Sequence, residues 1–157
     1  MSSDSRQRIE EIFAHVNAGR VDDAEALCRK TLDQTPDDFN VLGMLGAILL
    51  KAGRVDEAQD ALRRTIELEP GFAKPHEDLG VLYLGRGDAA PALHHLETAV
   101  SLTESEASAH RAMAVALHQL GRYDEAEAAH HRFLALAHGQ YPMCESEMLR
   151  RKGEPAE

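Results

Sequence analysis

The sequence predicts an all-α fold of four stacked helical pairs, and three observations carry that expectation. Glycines stand at 19, 53, 87 and 121, and alanines at 24, 58, 92 and 126, each 34 residues from the last. Against a background of about 7% Gly, three further glycines falling on register by chance have odds of about 3 in 10,000. Between these marks the apolar residues recur at helical rather than strand spacing. Aromatics are only 4% of the 157 residues, there is no Trp, and alanine is abundant, which favours close-packed helices over a β-sandwich.

The first unit, residues 5–38, sets Ile9, Ile12, Phe13 and Val16 on one helix, turns at Gly19, and continues through Ala24, Leu27 and Leu32. In the second, 39–72, Leu42, Leu45, Leu49 and Leu50 recur at helical spacing, and Gly53 ends the run where a C-cap needs it. Asp56 and Glu57 open the next helix, where acidic side chains suit the positive end of the dipole. Ala58, Leu62 and Ile66 stripe one face of that helix until Pro70-Gly71 closes it. The third unit, 73–106, repeats the scheme with Leu79, Leu82 and Tyr83, then Ala92, Leu96, Ala99 and Val100. Its Pro91 falls near a first helical turn, where a missing N–H costs little. The fourth, 107–140, offers Met113, Leu117, Ala126, Phe133 and Leu134. The acidic runs Asp22-Asp23, Asp37-Asp38 and Asp56-Glu57 sit at helix starts and read as capping groups rather than acid–base pairs. Beyond residue 140, Pro142 stands at a helix start with Met148 and Leu149 as apolar contacts, so 141–157 is expected to form a short capping helix and a frayed tail.

Composition removes several function classes. With 17 Lys and Arg against 27 Asp and Glu, the net charge is −10, and an acidic chain lacks the basic footprint that nucleic acid requires. The longest apolar stretch, Val41 to Leu50, is far short of the roughly 20 residues a membrane span needs. The N-terminus, Met-Ser-Ser-Asp-Ser-Arg, has no apolar signal-peptide core, so a cytoplasmic location is expected. Cys28 and Cys144 have no metal-ligand spacing around them and are expected to be free thiols.

In this register the residues resemble the tetratricopeptide repeat, whose pattern is W-x2-L-G-x2-Y, A-x3-F and a closing Pro. Unit two carries Leu42-x2-Leu45-Gly46-x2-Leu49, Ala58-x3-Leu62 and Pro70. Unit three carries His76-x2-Leu79-Gly80-x2-Tyr83 and Ala92-x3-Leu96, with Glu104 in place of Pro. Unit four has His110-x2-Met113-Ala114-x2-Leu117, then Ala126-x3-His130, with His138 where Pro is usual. Unit one keeps Gly19, Ala24 and Pro36 but sets Ile12 at the small position. The resemblance implies a right-handed superhelix, an α-solenoid, in which Gly46, Gly80 and Ala114 let paired helices cross closely. A larger side chain forces them apart, so Ile12 predicts a first pair that is splayed or more exposed.

No catalytic constellation is visible: there is no glycine-rich phosphate loop, nucleophile elbow or HExxH motif, and no cofactor is expected. The nine histidines are the one compositional oddity. His94-His95 and His130-His131 are neighbours on a helix and point about 100° apart, which suits no recurring ligand spacing. His76 and His110 fill the repeat's large-residue slot, so no metal is expected.

What remains is a surface. Repeats of this family bind a segment of another protein in a concave groove lined by the first helix of each pair. The resemblance assigns Ile9, Phe13 and Val16 of unit one to that groove, and Asn40, Ala47, Leu50 and Lys51 of unit two. Unit three contributes Lys74, Glu77, Val81 and Leu84, and unit four Arg111, Val115 and His118. Phe13, Val16, Leu50, Val81, Leu84 and Val115 are expected as an apolar, solvated floor, with Lys51, Lys74 and Arg111 at its edges. The charge of −10 is then carried mainly elsewhere. The carboxylate clamp that reads chaperone tails is absent, since its places hold Ile9, Phe13, Met44, Lys74 and Asp78, or one unit later Gly43, Ala47, Asp78, Ser108 and Ala112. The leading expectation is a non-enzymatic adaptor binding a peptide or amphipathic segment. The alternatives are a repeat domain serving a glycosyl- or sulfotransferase, a secretion-type chaperone, or a strip covered by the chain's own C-terminus or a second copy.

Overall fold

In the computed structural model, which describes residues 3–137, the chain runs as eight helices, with no strand among the described residues. They follow one another as α1 (Ser3–Asn17), α2 (Val21–Gln34), α3 (Phe39–Lys51), α4 (Val55–Leu68), α5 (Ala73–Arg86), α6 (Ala89–Leu102), α7 (Ala107–Gln119) and α8 (Tyr123–Ala137). Consecutive helices form antiparallel pairs, α1/α2 through α7/α8. The expected capping helix at 141–157 lies outside the described residues. No described helix is long and apolar enough to cross a membrane.

The periodic glycines make the turns inside each pair. Gly19, Gly53, Gly87 and Gly121 have φ of 72°, 75°, 83° and 75°, the left-handed region that side-chain-bearing residues avoid. In the second pair the Gly53 N–H bonds the Leu50 carbonyl at 3.0 Å, and the Arg54 N–H reaches back to Leu49 at 2.9 Å. The other three turns repeat both bonds, which satisfies carbonyls that a helix end leaves open. Of the acidic runs, only Asp38 caps directly, accepting from the Asn40 and Val41 N–H groups at 3.1 and 3.3 Å. Asp22, Asp23, Asp56 and Glu57 lie in first turns with no side-chain cap bond, so their contribution to the helix ends is through the dipole, and Asp23, Asp56 and Glu57 are also ion-paired to arginines. Asp37 instead pairs with Arg64 of α4 at 2.9 Å.

In the second and third pairs the contact rests on a small residue opposite a large one. Gly46 faces Leu62, and Gly80 faces Leu96, closely enough that an added Cβ would lie 2.7 and 2.5 Å from the leucine. In the first pair the sizes are exchanged: Ile12 stands in the small place, Cys28 in the leucine place, and both are fully buried in one cluster. The expected splaying is present, since α1 packs more sparsely on α2 than the first helix of any other pair on its second. Ile12 itself, however, is 0% exposed. A smaller partner at 28 absorbs its volume.

Burial also governs the Cys28 thiol. Desolvation, with a smaller push from Glu25, raises its pKa to about 12, so almost none is thiolate at neutral pH. Native protein treated with iodoacetamide near pH 8 is expected to alkylate Cys28 at least about a hundredfold more slowly than urea-unfolded protein. Equal rates by mass spectrometry would mean that the first pair opens readily.

The backbones of first helices approach one another along the row, α1 to α3, α3 to α5 and α5 to α7, whereas second helices stand further apart and meet through long side chains such as Arg29 and Glu57. A row in which one layer is in contact and the other is spread must curve, with the touching layer inside. The curvature places α1, α3, α5 and α7 on the inner face.

Candidate functional site

Every residue assigned to the groove from sequence lies on one of those four helices or, in the case of Lys51, at the end of one. They do not share one environment. Phe13, Val81 and Val115 are 52%, 48% and 46% exposed, high values for large apolar side chains, and Ala47 continues their row on α3. These four stand one repeat apart and form an apolar ladder on the inner face, exposed at Phe13, Val81 and Val115 and half-buried at Ala47.

The second expected column is different, and here the expectation is corrected. Val16, Leu50 and Leu84 are half-buried and pack against the clusters beneath, Val16 and Leu50 on the one around Leu45 and Leu49, Leu84 on the one around Leu96 and Leu117. Ile9 is likewise half-buried against the first cluster. One turn of helix separates Leu84 from Val81, and the side chain that leans toward the next pair is covered by it. These residues support the ladder from below.

Glu77 also differs from the expected groove-lining acid. It is buried, and with Asp78 it holds the Lys74 ammonium, at 3.2 Å from Glu77 and 3.0 Å from Asp78. Burial works against the Lys74 charge, but Asp78 and Glu77 outweigh it and raise its pKa. Burial pushes the Asp78 carboxyl above its ordinary range, with Lys74 only partly offsetting it, and its Oδ2 has no partner. Lys74 is therefore committed within the protein. Lys51 and Arg111 are exposed, and the Arg111 guanidinium lies over the Phe133 ring at 6.0 Å. Asn40 is half-buried at the start of α3, and exposed His118 meets the edge of Tyr123 at 5.2 Å.

Two features went unread in the sequence. Tyr123 is 63% exposed beside His118 and Leu120; the available signal was an aromatic two places after Gly121, where the other units have Val21, Val55 and Ala89. A cleft of about 310 Å³ opens at the start of α5, lined by Phe72, Lys74, Glu77, Ala99, Thr103 and Glu106. It lies within the third unit, between the start of α5 and the end of α6, with Phe72 contributed by the preceding loop.

Charge separates the two layers. The four second helices carry twelve Asp and Glu against five Lys and Arg. The four first helices carry five against six. Part of the outer acid is engaged between pairs, where Arg29 of α2 bonds both Glu25 and Glu57, at 2.9 and 3.1 Å. Among the described residues no group of three His, Cys, Asp or Glu is arranged to hold a metal ion.

Comparison with known proteins agrees with this architecture. No curated protein matches the sequence significantly. Solved structures of MamA share the fold. A MamA RS-1 double mutant has a TM-score of 0.75 at 21% identity, over 90% of this chain and 80% of its own. MamA 41-end from Desulfovibrio magneticus RS-1 has 0.73 at 22%, over 85% and 75%. A MamA AMB-1 structure has 0.70 at 27%, over 85% and 79%. Two family models, each described as tetratricopeptide repeat, match residues 15–79 and 77–141. The glycine turns, the small-on-large crossings and these two adjoining matches together place the chain in the tetratricopeptide repeat family.

Proposed function

We propose that the chain is a non-enzymatic adaptor that holds an amphipathic segment of another protein along the inner face of α1, α3, α5 and α7. The observation that supports this best is the row of Phe13, Val81 and Val115, large apolar side chains left about half exposed at one register position in the first, third and fourth units. Contiguous apolar surface of this kind is costly to leave in water and marks interaction sites. Neighbouring helices pack about 8–10 Å apart. A helical ligand rising about 1.5 Å per residue therefore meets a new rung about every two turns, and an extended one about every third residue. Lys51 and Arg111, both exposed, favour acidic side chains on the flanks of that ligand, while the acidic second helices are turned away from it.

The test is partner capture from cell extract by the tagless chain coupled to beads, followed by mass spectrometry. The double substitution Val81→Glu/Val115→Glu is expected to weaken capture of a specific partner at least about tenfold, because binding would strand charges against an apolar ligand. Undiminished capture would assign the partner to another face.

A further inference from the structure

His76 of α5 and His95 of α6 meet nitrogen to nitrogen. Their Nδ1 atoms are 3.3 Å apart and their ring centres 5.6 Å, a separation that leaves both nitrogens close to the line joining the rings. That is the arrangement of an N–H···N hydrogen bond, with one ring donating and the other accepting. A chelated ion would need lone pairs converging on a third point instead.

Repeat symmetry identifies the donor. His110, one repeat later, sets Nε2 3.1 Å from the Glu104 carbonyl, and the His76 ring likewise bonds the Pro70 carbonyl, one repeat before Glu104. A ring nitrogen facing a carbonyl carries its hydrogen, so His76 keeps its proton on Nε2 and offers a bare Nδ1, and His95 donates from its own Nδ1. In the fourth pair Ala129 occupies the place of His95, and the buried Nδ1 of His110 has no partner. The closed bond belongs to the third pair and not to the fourth.

The surroundings tie this bond to the second pair. Tyr83 stacks on His95, with ring centres 5.7 Å apart and planes within 8°. The Tyr83 hydroxyl accepts from Arg63 at 3.0 Å and from Gln59 at 3.2 Å, both on α4. His94 meets the His95 ring edge-on at 5.6 Å. The charged or titratable groups bearing on the pair are thus Arg63 from α4, Tyr83 from α5 and His94 from α6. No described carboxylate forms an ion pair with either ring.

We infer that the His76–His95 hydrogen bond is an acid-sensitive latch at the junction of the second and third pairs. It is closed while both rings are neutral and forced open once both are protonated. One added proton leaves the bond intact whichever ring takes it, because the other ring still offers a bare Nδ1, although Arg63 and His94 oppose a charge on His95. A second proton leaves neither Nδ1 with a lone pair and sets two N–H groups head to head. Opening displaces His95 from Tyr83, and with it the link from Tyr83 to Arg63 and Gln59. Acid therefore loosens α4 from α5 as well as α5 from α6.

Burial lowers the pKa of His76 and, joined by the neighbouring His76, His94 and Arg63, pushes that of His95 down to about 4. A histidine held below its unfolded pKa leaves stability intact above about pH 6.5 and withdraws it as pH falls from there toward about 4. Urea unfolding of the full chain, compared at about pH 7.5 and about pH 4.5 on either side of the isoelectric point near 5.3, reads this directly. The wild-type midpoint is expected to fall, and that of His95→Phe, which keeps a ring on Tyr83 but carries no proton, to fall less than half as far. Independently, the ring resonances of His76 and His95 in the folded, unsubstituted protein are expected to titrate below those of the same residues in the urea-unfolded chain. An acid loss in His95→Phe equal to wild type, or ring midpoints equal to those of the unfolded chain, would overturn the latch.

Discussion

Replacing Gly80 by alanine is expected to lower stability, although alanine is the better helix former. Propensity alone favours Ala over Gly in a helix interior by about 1 kcal/mol. At Gly80 the new methyl would sit 2.5 Å from Leu96 Cγ and 2.7 Å from Cδ2. Leu96 is fully buried in the cluster with Ala92, Leu93 and Leu117, so it has no free space to turn into. Overpacking of this kind costs about 1–3 kcal/mol, enough to outweigh the propensity gain. Leucine at the same place must push α5 off α6 and belongs at the upper end of that range or beyond it, a drop of about 10 °C in melting temperature at about 3 °C per kcal/mol. Gly85 supplies the control. It lies in the last turn of the same helix with no atom within 4 Å of an added Cβ, so Gly85→Ala should leave the melt unchanged or raise it slightly. Shortening Leu96 to alanine in the Gly80→Leu background should recover part of the loss as a positive coupling. Melts of Gly80→Leu and wild type that superimpose would show that the crossing is not set by these two residues.

The same pair shows why the fold was legible in the sequence. A 34-residue step carries Gly46 to Gly80 and Leu62 to Leu96, so one unit read correctly is four units read, and the left-handed turns announce themselves as glycines. Departures were legible as sites but not as outcomes. Ile12 was visible at a small position, yet its burial depended on Cys28, sixteen residues away on another helix. For the inner face, periodicity assigned residues to a helix face and stopped there. Whether Leu84 is covered depends on how far α7 leans over α5, a distance between units that no spacing within a unit encodes. The commitment of Lys74 to Glu77 and Asp78 was concealed for the opposite reason. All three lie within one turn, and the assignment of each position to a groove column treated them separately. In the sequence His76 reads as a filler of the large-residue slot and His95 as the neighbour of His94, so the bond between α5 and α6 does not show there.

Leu84→Glu and Val81→Glu, three residues apart on α5, are expected to give opposite results in a urea melt. Read from sequence, both positions belong to one solvated floor, and a charge at Leu84 leaves folding untouched. In the structure Leu84 packs against the cluster around Leu96 and Leu117, whereas Val81 is 48% exposed. Glutamate at 84 loses the buried leucine contacts and presses a carboxylate against apolar neighbours with no cation described beside it, at a cost of about 2–4 kcal/mol. Glutamate at 81 points into water and should change stability by no more than about 0.5 kcal/mol. The contrast also decides how the capture experiment is interpreted. A Leu84→Glu chain that fails to hold its partner has lost the support under α5, and the failure says nothing about contact. A Val81→Glu chain that melts like wild type and still fails has lost the contact itself. Equal midpoints for the two variants would mean that Leu84 is solvated after all, and that the inner face carries two apolar columns rather than one.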